Sequence, residues 1–379
     1  MRQKRNRVRV LILIILLIQI LVTSFSCSAS SIKIGFAGPF SGYLSDLGVS
    51  GRNGAELAVR EINEAGGLNG RELILLTEDD EADPDMAVQA DQALLDAGAV
   101  AIIGHMTSSV AAETVRFANQ NDIFMISPTI STDTLTGIDD NFFRIVYTSE
   151  DQARLLVDYA VGQELWNFTG FFETQNTAFS RQQLEFFQNG ITSSGGVLEV
   201  IGSFRADNFS AIQAAASQTI ETEPDAAAVF APGLSTALFC QFLEQLGSTQ
   251  VVLTSSWAMT DALIRYGGTA LDRIRIAGYF IEGSQQPEYR RFREKYEQIF
   301  HQSPGFASVY AYEAVQVLFY ALQNTDSWSA EDLKQTIIRH ARFHGLQSIF
   351  RINEYGDCER EGHIFTVEDG RFVFAENGR

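Results

Sequence analysis

Short apolar strands alternate with helical segments along most of this 379-residue chain, and this alternation constrains the fold more than any other feature. The first strand is predicted at Ile32–Ala37, and the same alternation starts afresh after Thr148. Strands that alternate with helices form parallel sheets with helices on both faces. We therefore predict an α/β protein of two doubly wound lobes with a ligand cleft between them.

Two strand–loop–helix units follow one another between Ala101 and Ser131. Ala101–Gly104 and Ile123–Ile126 are predicted to be buried strands, and a polar loop follows each of them. In a parallel sheet both loops lie at the carboxyl ends of their strands, where open α/β folds bind ligands. We therefore expect the two loops to form part of a binding site.

Ser108 and Ser109 lie where a helix, predicted at Val110–Gln120, begins. Unpaired backbone N–H groups and the helix dipole favour an anion at such a position. Two loops rich in hydroxyl groups beside a helix N-terminus suit a small carboxylate. The alternative is that one of the two serines only caps the helix.

The chain begins with a basic segment and a short apolar run, Val10–Val22, which together are typical of a secretory signal peptide. We predict that residues 1–26 are that signal peptide. Cys27 follows in a context that resembles a bacterial lipoprotein box, so we expect a lipid-anchored protein in the periplasm or at the cell surface. The alternative is ordinary cleavage near Ser26 or Ala29, which would give a soluble secreted protein.

The mature chain is strongly acidic. Loss of residues 1–26 would remove five of the 28 basic residues and none of the 47 acidic ones, and the formal charge would change from −19 to −24. This charge argues against nucleic acid or an anionic membrane surface as a partner. Cys240 and Cys358 would remain after lipidation of Cys27, either paired or free.

Motifs for common enzyme chemistries are missing from the sequence. It contains no HExxH, GxxxxGK[ST] or GxSxG pattern, and its five histidines are scattered. We therefore expect no metal site, no cofactor and no enzymatic activity.

Several segments together resemble the type I periplasmic binding proteins, in particular the leucine/isoleucine/valine-binding receptors of ABC transporters. They are IKIGFAGPFSG, GRNGAELAVREINEAGGLNG, DDEADP, IIGHMTSS and FMISPTIST. The resemblance implies two Rossmann-like lobes that are joined by three crossovers and close on a ligand like a hinge. We place lobe 1 at 31–148 plus 282–352, and lobe 2 at 149–281 plus 353–379.

The resemblance also implies roles for residues of lobe 1. The carboxylate-binding serine of the family matches Ser108, its second hydroxyl matches Ser131, and a backbone contact matches Thr129. We count Ser109 among the candidate ligand-binding residues as well. An aromatic residue found in relatives falls at Leu47 here.

In lobe 2 the resemblance implies ligand contacts at Gly233, Ser256 and Trp257. The amino-acid binders resemble one another in placing an acidic residue near Ser256 to hold the ligand's ammonium, and this chain has TSSW there. Glu173 or Asp261 would have to supply that charge instead. We therefore expect a ligand with a carboxylate and a substantial apolar part, which Trp257 would contact, unless Trp257 is only a core aromatic.

The predicted function is that of an extracytoplasmic solute-binding receptor of an ABC importer. Its ligand would be an amino acid or an aromatic or branched organic acid. Its partners would be that small molecule and an ABC permease in the inner membrane, and we expect the receptor to be a monomer. The alternative is a receptor domain that signals ligand occupancy to a membrane partner.

Overall fold

A computed structural model describes residues 30–375 of the protein. The predicted signal peptide and Cys27 lie outside the described residues. Within them, no helix combines the length and the apolar character that crossing a bilayer requires. Cys240 and Cys358 are both buried and unpaired with one another.

The first sheet has five parallel strands in the order β2-β1-β3-β4-β5. Its strands are β1 Ile32–Gly38, β2 Leu73–Asp79, β3 Ala101–Ile103, β4 Phe124–Ser127 and β5 Phe142–Arg144. Apolar residues such as Ile34 and Phe36 are completely buried in β1, since helices cover both faces of the sheet. We call this sheet and its helices the first lobe.

The second sheet has seven strands in the order β15-β14-β10-β9-β8-β6-β7. Its strands are β6 Asn167–Glu173, β7 Val197–Phe204, β8 Ala226–Phe230, β9 Val251–Ser255, β10 Ile274–Gly278, β14 His363–Glu368 and β15 Arg371–Phe374. Strands β6 to β10 repeat the order of the first sheet, so both lobes are doubly wound as predicted. We call this sheet and its helices the second lobe.

The strands of the C-terminal tail pair antiparallel, unlike the parallel strands that alternate with helices in the two lobes. Strand β14 pairs antiparallel with β10, and β15 pairs antiparallel with β14. Only Asp369 and Gly370 connect β14 to β15, and a connection this short can join antiparallel strands alone. A further antiparallel sheet is formed by β11 Arg342–His344, β12 Ile349–Ile352 and β13 Cys358–Glu359.

Eleven helices cover the sheets within the described residues. They are α1 Ser45–Glu64, α2 Pro84–Asp96, α3 Ala111–Gln120, α4 Ser149–Gly162, α5 Thr177–Ser193, α6 Phe209–Thr222, α7 Gly233–Gln245, α8 Asp261–Gly267, α9 Pro287–Phe300, α10 Phe306–Gln323 and α11 Ala330–His340. Side-chain caps determine the residue at which several of these helices begin. Asp83 accepts from two backbone N–H groups of α2, and Thr148 and Asp151 form a reciprocal capping box at α4.

Close contact between α1 and α10 explains one glycine of the sequence motif. A side chain at Gly54 would place its Cβ 2.0 Å from the carbonyl oxygen of Ser308. Only glycine permits the two helix backbones to approach this closely. The contact fixes α10, which comes late in the chain, on the first lobe.

The chain passes between the lobes three times. It leaves the first lobe after β5, returns after β10 to form α9 to α11, and enters the second sheet again at β14. Strands β12 and β13 pair across the predicted boundary between residues 352 and 353, so the last passage follows Glu359. The boundaries of the two lobes stay a prediction.

Candidate functional site

A small cavity lies where the carboxyl ends of strands from both sheets meet. Its volume is about 30 Å³, room for roughly two water molecules, so a larger ligand requires the lobes to separate or side chains to move. The cavity is lined by Leu47, Met106, Ser108, Thr129, Ser131, Val146, Tyr147, Gln152, Asn176, Phe179, Ser256, Trp257 and Phe306.

Hydrogen bonds join the two first-lobe loops at this cavity. Ser108 Oγ accepts from the backbone N–H of Ser131 at 3.3 Å, and Thr129 Oγ1 donates to the carbonyl of Met106 at 2.6 Å. The hydroxyl of Ser131 forms no hydrogen bond with any described residue, although Ser131 itself is buried. Ser108 and Ser131 thus present two hydroxyl groups side by side, and each has an O–H free to donate to a ligand.

Neither Ser108 nor Ser109 caps the helix that follows. The chain forms a 3₁₀ turn at Ser108–Val110 that continues directly into α3, and no side chain caps either element. The hydroxyl of Ser108 is turned to Ser131, and that of Ser109 accepts from the backbone of α5 in the second lobe. The alternative of a capping role alone is therefore wrong.

A buried ion cluster lies beneath these loops. His105 Nδ1 is 2.6 Å from Asp80 Oδ2, and His105 Nε2 is 3.0 Å from Asp91 Oδ1, with all three side chains fully buried. Burial alone would lower the pKa of His105, but the charges and hydrogen bonds of Asp91 and Asp80 outweigh it and raise the pKa to about 10. The imidazole is therefore charged at neutral pH and holds β2, α2 and the Ser108 loop together.

The same histidine supports the second loop through its backbone. Ser127 Oγ donates to the carbonyl of His105 at 2.7 Å and accepts from the N–H groups of Thr129 and Ile130. One hydroxyl thus fixes both loops with respect to each other. Sequence reasoning missed this network, because the three charged residues are scattered and only the fold brings them together.

The second lobe contributes Ser256 to the cavity. Ser256 Oγ is 2.7 Å from Tyr147 Oη and donates to Gln152 Oε1 at 3.0 Å. Tyr147 lies in the first passage between the lobes, and its ring stacks on that of Tyr279. Ser256 is therefore held at the cavity by Tyr147, in the passage between the lobes, and by Gln152 of α4.

Direct hydrogen bonds hold the lobes together beside the cavity. The backbone N–H of Ser109 donates to Asn176 Oδ1 at 3.0 Å. In α5, Gln182 Oε1 accepts from the N–H of Asp133 at 2.9 Å and from the hydroxyl of Thr132 at 3.1 Å. Separation of the lobes would break these bonds.

Trp257 lies both at the cavity and in an apolar core. It lines the cavity, and it also packs in an apolar cluster with Phe179 and Leu44, where only 6% of its surface is exposed. The rings of Trp257 and Phe179 meet edge to face with centroids 5.5 Å apart. Since Leu44 comes from the first lobe, this cluster also bridges the two lobes.

The lining of the small cavity contains no charged side chain among the described residues. Glu173 is fully buried outside it, and its carboxylate accepts from the backbone N–H groups of Gln175 and Asn176. Burial raises the pKa of Glu173, against these hydrogen bonds. Asp261 lies in a neighbouring chamber. Neither of the two acids proposed as an ammonium partner therefore lines this cavity.

Five of the seven predicted site residues line the cavity, and two do not. Ser109 bonds the opposite lobe instead, and Gly233 begins α7 so close to Thr260 that a Cβ would lie 2.1 Å from its hydroxyl oxygen. Sequence reasoning missed Tyr147, Gln152 and Asn176, among others. A polar residue shortly after a strand would have been a signal for Asn176. Tyr147 lies in a passage between the lobes and Gln152 lies in a helix, so no such signal marks them.

A protein-family model and several known proteins match the chain. A family model described as "Periplasmic binding protein" matches residues 31–371. A curated relative from Brucella melitensis, "Leu/Ile/Val-binding protein homolog 3", is 31% identical over 138 residues, which are 36% of this chain and 37% of the relative. The chain thus matches little more than a third of the length of that relative.

Solved structures share the fold over nearly the whole chain. A leucine binding protein from Thermotoga maritima has a TM-score of 0.82 and 23% identity, covering 91% of this chain and 97% of that one. A solute binding protein of an ABC transporter from R. palustris, in complex with benzoate, has a TM-score of 0.82 and 20% identity, covering 91% and 95%. At these identities the likeness establishes the fold alone.

Proposed function

The chain belongs to the periplasmic binding protein family, and we propose from this premise that it is the extracytoplasmic solute-binding receptor of an ABC importer. Its partner would be a permease in the inner membrane, to which it would deliver ligand as a monomer. The match to a Leu/Ile/Val-binding relative and the shared fold of ABC-transporter binding proteins support an importer. No observation favours the signalling alternative.

The proposed ligand is a small carboxylate with an apolar body and without a required amine. The hydroxyls of Ser108 and Ser131, with Thr129 beside them, would hold the carboxylate. Trp257 and Phe179 would contact the apolar part. The observation that carries this proposal is the neutral lining of the cavity, because an ammonium buried there without a carboxylate partner would cost several kcal/mol.

A thermal-shift screen with and without the serine hydroxyls tests this function. Benzoate, phenylacetate, 4-methylpentanoate, leucine and phenylalanine are the probes, since a ligand that binds only the native state raises the melting temperature. We expect at least one carboxylate to stabilise the wild type. Failure of every probe would overturn the proposal.

Variants then assign the site. Ser131→Ala removes a hydroxyl that bonds no described residue, so folding should be intact, and the lost charge-assisted hydrogen bond should cost about 1.5–3 kcal/mol of binding. Ser108→Ala together with Ser131→Ala should weaken binding further. The matched control is Ser194→Ala, an exposed serine far from the cavity. Equal ligand-induced shifts of the melting temperature in the wild type and all three variants would contradict the assignment of the site.

We further propose that Cys27 carries a lipid anchor and that the anchor is the protein's only attachment to the membrane. The sequence around Cys27 supports this. Metabolic labelling with a radioactive fatty acid should mark the wild type and not Cys27→Ser. An unlabelled wild type that is found wholly in the soluble fraction would contradict it.

A further inference from the structure

A second and larger chamber opens between the lobes beside the small cavity. Its volume is about 300 Å³, ten times that of the small cavity and within the range of small-molecule sites. Its floor is apolar and buried, formed by Met259, Phe280, Phe306 and Phe372. The chamber therefore has the size and the walls to receive part of a ligand.

Leu47 and Phe306 line both the chamber and the small cavity. They form the partition between the two spaces. A ligand that is too large for the small cavity can extend into the adjacent chamber.

Acidic groups from both lobes face the chamber. Asp46 lies in the first turn of α1 in the first lobe, and Asp261 lies in the first turn of α8 in the second lobe. Each stabilises its own helix terminus, but both place a like charge at the same chamber. The pKa of Asp46 is raised, first because protein atoms crowd its carboxyl and also because of the charge of Asp261, although the residue keeps an exposed surface toward the chamber.

The remaining charged groups of the lining leave the chamber acidic. Glu282 is a third acid, and its carboxylate accepts from the backbone N–H of Phe372. Arg265 is the one basic residue among the described residues of the lining, and it forms no ion pair with a described residue. Thr260 adds a hydroxyl without a hydrogen-bond partner in the described part of the chain. Described residues form no cluster of three metal-ligating side chains here, so the charge suits an organic cation better than a metal ion.

We propose that the ligand is an elongated carboxylate whose far end carries an ammonium or guanidinium group, bound between Asp46 and Asp261. This inference rests on the proposed function, because the carboxylate end occupies the small cavity. The body of the ligand passes Leu47 and Phe306. The cation relieves the repulsion between the two acids and thereby favours closure of the lobes.

Two ligands of equal shape and different charge test the proposal. They are 4-(3-aminopropyl)benzoate and 4-butylbenzoate, titrated by calorimetry into the wild type, Asp46→Asn/Asp261→Asn and the control Asp326→Asn, an exposed acid elsewhere. In the wild type and the control we expect the amine to bind at least ten-fold tighter than the butyl compound. In the double variant this ratio should fall below three-fold.

Several outcomes would contradict the proposed cation site in the chamber and leave the proposed function intact. They are equal or tighter binding of the butyl compound, an unchanged ratio in the double variant, and failure of both compounds to bind while shorter carboxylates stabilise the protein. Stabilisation of the wild type by Ca²⁺ alone, absent from the double variant, would replace the organic cation with a metal. Failure of every carboxylate would instead reject the proposed function.

Discussion

The side chain of Asn176 accepts a hydrogen bond from the backbone N–H of Ser109 at 3.0 Å, across the cleft between the lobes. The two residues follow the ends of β6 and β3, which belong to different sheets. A residue of the predicted ligand loop is thus used to hold the lobes closed. We therefore expect binding and closure to be coupled at this point, because the loop that would offer Ser108 to a ligand also makes the contact between the lobes.

Gln182→Ala should weaken ligand binding although Gln182 does not line the cavity. Its carboxamide oxygen accepts two bonds from the opposite lobe, and their loss should destabilise the closed state by about 0.5–1.5 kcal/mol per bond. Calorimetry with the best carboxylate from the screen measures the effect, which should be at least a few-fold. Gln163→Ala, an exposed glutamine of α4's end, is the control. Unchanged affinity in Gln182→Ala would show that these bonds do not contribute to closure.

Ligand binding should change tryptophan fluorescence through one residue. Trp257 lines the cavity, whereas Trp166 is 37% exposed and Trp328 donates to the carbonyl of Leu322 on the outside of the first lobe. The emission change on titration should therefore persist in Trp166→Phe and Trp328→Phe. It should vanish in Trp257→Phe. A change that survives in Trp257→Phe would place the ligand elsewhere.

Stability should fall as pH rises above neutrality because of His105. The pKa of His105 is about 10 in the folded protein against an ordinary 6.5, so the folded state binds one proton more than the unfolded state between these values. The contribution is complete below pH 6.5 and is lost as the pH rises through about 10. The free energy of unfolding, measured by urea titration, should fall by up to about 1.4 kcal/mol per pH unit in this window.

Substitution of His105 distinguishes its contribution to the pH dependence of stability from that of other titrating groups. His105→Gln leaves two buried carboxylates without their cation and should destabilise the protein by about 3–5 kcal/mol at pH 7. The deficit should shrink as the pH approaches 10. His344→Gln, an exposed histidine, should follow the wild type throughout. A deficit of His105→Gln that does not change with pH would show that the imidazole is neutral.

Much of the fold could be predicted because local signals are strong. The strand predicted at Ile32–Ala37 is β1, and the helix predicted at Val110–Gln120 is α3, each within one residue of the predicted bounds, because the apolar periodicity of both segments is clear. The antiparallel strands of the tail could not be placed. Asp369-Gly370 marks the turn between β14 and β15, but the pairing of β14 with β10 and of β13 with β12 depends on tertiary packing and has no local sequence signal.

The candidate site, like the fold, could be predicted from the sequence only in part. Ser108, Thr129 and Ser131 follow predicted strands, so the order of strands and loops was enough to bring them together. Tyr147 and Gln152 reach the cavity only because the chain crosses between lobes there, and that geometry depends on closure. Pattern alone cannot reveal contacts that form between separately folded lobes.

Calorimetry with paired ligands tests the central claim most directly. The claim is that a carboxylate binds in a cavity without an acid for an amine, and the pairs are 4-methylpentanoate with leucine and 3-phenylpropanoate with phenylalanine. For the better-binding pair, we predict that the acid binds at least as tightly as the amino acid. Ten-fold tighter binding of the amino acid, about 1.4 kcal/mol, would contradict the account and require an amine partner in the cleft.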